Sequence, residues 1–170
     1  FLNENLKRKI IFYLIYKSFH WRDYHKTSLN ESSSGLGSDI NVTKKLTNDL
    51  DDFLKKNKIK SLLDIACGDF VWMNKLVSKN NNLKYLGLEI VDKIVINNNK
   101  LFSNSNIKFK CLDVINESFP KNYDFILVRD FLIHIKNNDV INLIKKIKES
   151  NCKFFAINNF PYIKINKENK

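Results

Sequence analysis

Apolar and polar positions along the chain follow two rhythms. Short apolar runs at 62–67, 83–89, 107–112, 123–128 and 152–158, each bounded by turn-forming or polar residues, have the length of buried strands. Helical spacing fills the gaps between most of them, at 71–78, 91–101 and 138–149. Two more helices precede the first run. One covers 3–19, with Leu6, Ile10, Tyr13 or Leu14, and Lys17 along one side. The other runs to about residue 56, with Ile40, Leu46, Leu50, Phe53 and Leu54 as its apolar side. Ser38 or Asp39 is placed to cap that second helix, and Asn138 or Asp139 the last one. Strands alternating with helices predict an α/β fold, a doubly wound and mainly parallel sheet with flanking helices and right-handed crossovers. Residues 1–30 read as a helical extension and 31–170 as the main domain, with no internal repeat.

The chain is organised around residues 61–73. Asp64 interrupts an apolar run, Gly68 breaks it, and Asp69 can cap the helix that follows. A carboxylate inside a hydrophobic strand costs several kcal/mol unless it is hydrogen-bonded. Backbone amides or a bound cofactor would satisfy Asp64. In a doubly wound sheet the polar strand ends, Asp64 with Gly68, Glu89, Asp113, and Arg129 with Asp130, meet at one carboxyl edge, where nucleotide-like ligands bind. Glu89 lies 21 residues after Gly68, the position from which an acid takes both hydroxyls of a ribose. Asp113 can accept from an adenine amino group. The turn lacks G-x-G-x-x-G: Ala66 and Phe70 stand where glycines are expected. Phe70 and Trp72 are expected to crowd a diphosphate, so a phosphate-free adenosine carrying an amino acid fits better, its charged ends on backbone groups of Ala66, Cys67 and Gly68.

Composition narrows the classes. The net charge is +11, but it comes almost wholly from dispersed lysines, as codon bias in an AT-rich genome produces; the arginines are Arg8, Arg22 and Arg129. Nucleic-acid binding is therefore disfavoured. Cys67, Cys111 and Cys152 form no CxxC pair and read as buried, reduced thiols of a cytoplasmic protein, with no metal site. No apolar run reaches the length of a membrane span. Residues 10–15, with the basic flank 7–9, read as part of an amphipathic helix rather than a signal peptide. The first residue is Phe1, the expectation for a fragment or processed form. Residues 20–25 form a polar-aromatic bridge that either packs as a lid or puts Trp21 or Tyr24 over a ligand. The loop at 32–39, with Gly35 and Gly37, is a linker or closes over a cofactor with its amides.

Three motifs carry a resemblance: Ser-Gly-x-Gly-Ser-Asp at 34–39, Cys-Gly-Asp-Phe-x-Trp-Met at 67–73, and Arg129-Asp130 with His134. The chain resembles class I S-adenosylmethionine-dependent methyltransferases, more narrowly a bacterial group with these motifs, over residues 25–160. The resemblance implies a Rossmann-like fold and S-adenosylmethionine as cofactor. It implies Asp64, Ala66 and Gly68 at the methionine part, Glu89 on the ribose, and Asp113 with Val114 near adenine. Two further strands end the family's fold, and this chain is expected to lack them. The implied acceptor is a small molecule, a sugar or polysaccharide-precursor hydroxyl. A hydroxyl acceptor needs a base, and His134 is the first candidate. Asp130 would orient it or act alone, and Arg129 would hold an anionic substrate or a carboxylate of the fold. Residues 158–161, with Pro161 after Phe160, do not match the Pro-Pro pattern of amino methyltransferases. Two rival readings are an NAD-type oxidoreductase or epimerase, and a non-catalytic fragment or RNA-associated module.

Overall fold

The structure, a computed structural model, describes residues 3–23 and 32–159. Asn3 opens α1 (Glu4–Lys17), its side chain accepting from the Leu6 amide at 2.8 Å. A short helix, α2 (His20–Asp23), stands where an irregular bridge was expected; Tyr24 and His25 lie outside the described residues. Asp39 caps α3 (Ile40–Lys56), accepting from the amides of Asn41 and Val42 at 2.8 and 3.2 Å. Then come β1 (Ser61–Ile65), α4 (Val71–Val77), β2 (Lys84–Glu89), α5 (Asp92–Phe102), β3 (Ile107–Cys111), β4 (Phe125–Val128), α6 (Asn137–Lys148) and β5 (Phe154–Ile157).

The five strands form one parallel sheet in the order β3-β2-β1-β4-β5. The fold is thus α/β and Rossmann-like. Alternation along each strand feeds two cores. Leu62, Tyr85, Phe125 and Leu127 pack with α3 and α4 on one face. Leu63, Ile65, Leu88, Ile126 and Val128 pack on the other, with Phe12 of α1 and with Leu143 and Ile147 of α6. The order reverses at β1, so the ends of β1, β2 and β4 open around one crevice. Among the described residues no helix is long and apolar enough to cross a membrane.

Several expectations need correction. Most of the α1 stripe is on the wrong side: Leu6, Ile10 and Leu14 are 41, 38 and 52% exposed, while the alternative Tyr13 is half-buried against the core. Arg8, Phe12 and Tyr16, spaced by four, turn inward instead. The first half of the helix is charged and residues 10–16 are apolar or aromatic on every side, so periodicity alone does not choose a face. The polar tips choose it, because Arg8 and Tyr16 find partners on the body of the protein. Neither Asn138 nor Asp139 caps α6; Lys136 holds the cap position, and Asp139 pairs with Arg8 at 3.5 Å. Of the cysteines only Cys67 is buried. Cys111 is exposed on the edge strand β3, and Cys152 is half-buried.

Phe70 does not crowd the ligand crevice. It is fully buried on the α4 face, with ring centroids 4.8 Å from Tyr85, 4.9 Å from Phe109 and 5.3 Å from Phe102. It also takes the α4 cap position that Asp69 was expected to fill, in the left-handed conformation at φ 64°.

Candidate functional site

A cavity of about 420 Å³ lies at the carboxyl edge of the sheet. Every residue singled out from the strand ends lines it: Asp64, Ala66, Cys67 and Gly68 after β1, Glu89 after β2, Asp113 and Val114 after β3, and Arg129, Asp130 and His134 after β4. The sheet brings them together because parallel strands end in register, although the residues are far apart in sequence.

The first turn is held by the chain's own oxygens. Gly68 donates its amide to Glu89 Oε2 at 3.2 Å, and Asp69 donates its amide to Ser34 Oγ at 3.1 Å. The Val71 amide donates to Asp69 Oδ1 at 3.3 Å. The Asp69 carboxylate also gathers the serine loop, accepting from the hydroxyls of Ser32 and Ser33, each at 2.9 Å to Oδ2. The Ser34 hydroxyl lies 3.2 Å from Tyr16 Oη, so one side chain ties α1, the loop and the turn. Gly68 has φ +59°, and a Cβ there would lie 2.5 Å from Ser34 Oγ; the packing requires glycine. At Gly37 a Cβ would lie 2.6 Å from Asp130 Oδ2, so the loop's backbone runs directly against the β4 end.

Ala66 sits in the left-handed region at φ 60°. An L side chain costs about 1 kcal/mol there relative to glycine. Ala66→Gly is therefore expected to stabilise the protein by about 1 kcal/mol and raise Tm by about 2–4 °C. A thermal melt checks this, and an unchanged or lower Tm would show that the methyl's packing outweighs its strain.

The acids differ in how far they are already engaged. Asp64 accepts from Tyr85 Oη at 2.8 Å, a side-chain partner where backbone amides or a bound cofactor were expected. Burial raises its pKa to about 7 against the opposing pull of that hydrogen bond and of Arg129. Glu89 Oε1 accepts from the amides of Ile90 and Val91 at 2.9 and 3.1 Å. Burial lifts Glu89 to about 7 as well, although the Val91, Gly68 and Ile90 amides oppose it. A carboxylate offers about four acceptor positions; the three amides leave one, on Oε2, and Glu89 is among the residues that line the cavity. Asp113 is more fully taken. It accepts from Arg8 Nε and Nη2 at 3.3 and 3.2 Å, from the Ile115 amide at 3.0 Å and from Asn116 Nδ2 at 3.0 Å. Burial keeps the Cys67 thiol protonated, well above its usual pKa.

At the β4 end, Arg129 pairs with Asp130 at 3.1 Å and lies over the Trp72 ring at 5.1 Å. Asp130 also accepts from Asn158 Nδ2 at 2.6 Å and donates its amide to Asn158 Oδ1 at 2.9 Å. Asp130 is therefore engaged by Asn158 through hydrogen bonds and by Arg129 through an ion pair, rather than by His134. His134 stands in a wall of rings, 5.3 Å from Trp21 and 6.3 Å from Phe12 between centroids. Its ring keeps an exposed edge, yet desolvation lowers its pKa against the raising pull of Asp130. Phe160 and Pro161 lie outside the described residues.

Sequence reasoning missed Arg8, Phe12 and Tyr16. Their signal was an arginine and two aromatics at intervals of four on a helix whose residues 10–16 are apolar or aromatic throughout. It singled out Trp21 and His134 separately but not their contact, because they are 113 residues apart in sequence and meet only through tertiary packing.

No family model matches the sequence, and no curated protein does. Solved structures do match in fold. The DhpI-SAM-HEP complex superposes with TM-score 0.58 at 12% identity, covering 88% of this chain and 63% of that one. The methyltransferase domain of bacterial CtHen1-CN gives 0.58 at 13%, covering 68% and 65%. Coclaurine N-methyltransferase bound to N-methylheliamine and SAH gives 0.52 at 20%, covering 65% and 35%. At these identities the likeness establishes the fold. The chain spans between about a third and two thirds of the length of these structures.

Proposed function

We propose that the chain carries the cofactor site of a class I S-adenosylmethionine-dependent methyltransferase acting on a small molecule. The observation that carries this reading is the occupied turn. The amides of Gly68, Asp69 and Val71, which a diphosphate would need, already donate to Glu89, Ser34 and Asp69. Asp64, Glu89, Asp113 and Asp130 line the cavity, and the only arginines among its lining residues, Arg8 and Arg129, are ion-paired. An acidic crevice in a chain of net charge +11 favours a cation and opposes a dinucleotide.

When bound, S-adenosylmethionine supplies an electrophilic methyl group on a sulfonium. The chain's residues do the rest. Glu89 receives a ribose hydroxyl on its free acceptor position, and the Ala66–Gly68 turn with Asp64 faces the amino-acid end. Leu88, Ile90 and Val114 flank the adenine side as apolar surface, with Asp113 held by Arg8 at its rim. The serine loop, fastened to Asp69, narrows solvent access to the crevice. In a thermal-shift assay S-adenosylmethionine should raise Tm and NAD should not; the reverse would restore the oxidoreductase reading. The RNA-associated reading has no ligand-directed feature in the described residues to set beside the cavity. The sugar hydroxyl implied by the resemblance would need several unengaged polar groups at the β4 end, where Arg129, Asp130 and Ser34 are already paired.

The two raised carboxyls give opposite pH trends. A carboxyl whose folded pKa exceeds its unfolded value contributes stability at low pH that is lost as pH rises through the folded pKa. For Asp64 and Glu89 that window runs from the ordinary carboxylate range up to about 7. The ligand-free protein should therefore lose several degrees of Tm from about pH 5 to about pH 8. S-adenosylmethionine affinity should rise about tenfold over the same interval, because the ionised form of Glu89 accepts from the ribose and attracts the sulfonium. Melts and titrations across that range check both, and a flat pair of profiles would refute the assignment.

A further inference from the structure

The β4 end of the cavity is built from rings. Phe12, Tyr16 and Trp21 come from the N-terminal helices, and Phe131 and His134 from the segment after β4; all five line the cavity. They brace one another: Tyr16 meets Trp21 edge-on at 5.2 Å and 81°, and Phe12 lies 6.1 Å from Trp21 and 6.5 Å from Phe131. Trp21 and His134, 5.3 Å apart at 36°, are too close to admit a third ring between them. A ligand must therefore lie across the wall. The polar side chains beside it are engaged, Ser34 with Tyr16 and the Asp69 amide, Asp130 with Arg129 and Asn158. What the wall offers an acceptor is flat apolar surface and two imidazoles, His134 after β4 and His20 beside Trp21; of the two, it is His134 that packs on the Trp21 ring that would receive a planar ligand.

We propose that the methyl acceptor is a planar aromatic compound bearing a phenolic hydroxyl, packed against Trp21 with its hydroxyl at His134. This rests on the methyltransferase reading and deepens it. Planar faces match planar ligands by offset or edge-to-face contact, and a hydroxyl near pKa 10 is within reach of an imidazole base. The transfer balances without a further reactant. The methyl–sulfur bond breaks as the methyl–oxygen bond forms, the phenolic proton passes to the His134 imidazole and then to water, and S-adenosylhomocysteine leaves as a neutral thioether.

The test is calorimetric titration with S-adenosylhomocysteine, then with 2-naphthol and with methyl glucoside on the saturated protein. 2-Naphthol is expected to bind and methyl glucoside not. Trp21→Ala should weaken 2-naphthol at least about tenfold while S-adenosylhomocysteine stays within about twofold, and Trp21→Phe should restore most of the loss. His134→Gln should keep 2-naphthol binding and cut labelled-methyl incorporation about a hundredfold. Binding of methyl glucoside but not 2-naphthol, indifference of 2-naphthol to Trp21→Ala, or undiminished transfer by His134→Gln would each overturn the proposal. Silent 2-naphthol with normal S-adenosylhomocysteine binding would overturn this inference alone. Silent S-adenosylhomocysteine would overturn the methyltransferase reading and this inference with it.

Discussion

Glu89→Ala is expected to weaken S-adenosylmethionine binding by about two orders of magnitude, since a charged acceptor bond contributes ~1.5–3 kcal/mol and its buried partners are left unpaired. Three amides, those of Gly68, Ile90 and Val91, converge on this carboxylate. Alanine removes the ribose acceptor and also releases the turn that frames the amino-acid end. Glu89→Gln separates the two effects. Its carbonyl oxygen can keep two of the amides, but the third meets an NH₂ donor and the charge is lost. It should bind more weakly than wild type and more tightly than Glu89→Ala. Equal affinity for wild type and Glu89→Ala, measured by calorimetry at about pH 8, would remove Glu89 from the site.

Phe70→Ala should destabilise the protein by about 3–5 kcal/mol, the range for emptying a large aromatic site in a packed core. Phe70 is 0% exposed and its ring touches Tyr85, Phe102 and Phe109, so three elements would face a void. The backbone strain at φ 64° stays with alanine, which shares the Cβ, so nothing offsets the loss. Against a total of about 5–15 kcal/mol this is a large fraction. Because Phe70 faces the α4 core and not the cavity, cofactor affinity measured well below the melting range should change little. A Phe70→Ala protein that melts normally but binds S-adenosylmethionine differently would mean the ring lies in the crevice after all.

How Phe70 was misplaced shows where the sequence was legible. The pattern predicts the five strands, their parallel order class and the acid-tipped edge, because strand ends in such a sheet share one rim whatever the helices do. Glu89 and Asp64, two of the strand-end acids it singled out, line the crevice. It failed where direction depends on a single dihedral. Ala66 and Phe70 are both left-handed, and the Phe70 ring packs in the α3 and α4 core, a direction that no residue pattern reveals. It failed again at α1, where the apolar stretch at 10–16 gave no preferred face, and where Asp113, Asp139 and Ser34, with the core that receives Phe12, decide which side turns inward. The partner of Asp64 was also out of reach: Tyr85 arrives from the neighbouring strand through the Leu62–Tyr85 register, a pairing no local pattern encodes.

The grip of Arg8 on Asp113 and Asp139 has a consequence for biosynthesis. The two acids are 105 and 131 positions downstream, and ribosomes add roughly 5–20 residues per second. For on the order of ten seconds the first helix is outside the ribosome with no surface to settle on. Throughout that delay the apolar stretch at 10–16 is open to holdase chaperones or to neighbouring nascent chains, so the roof of the crevice is laid only after most of the sheet has been made.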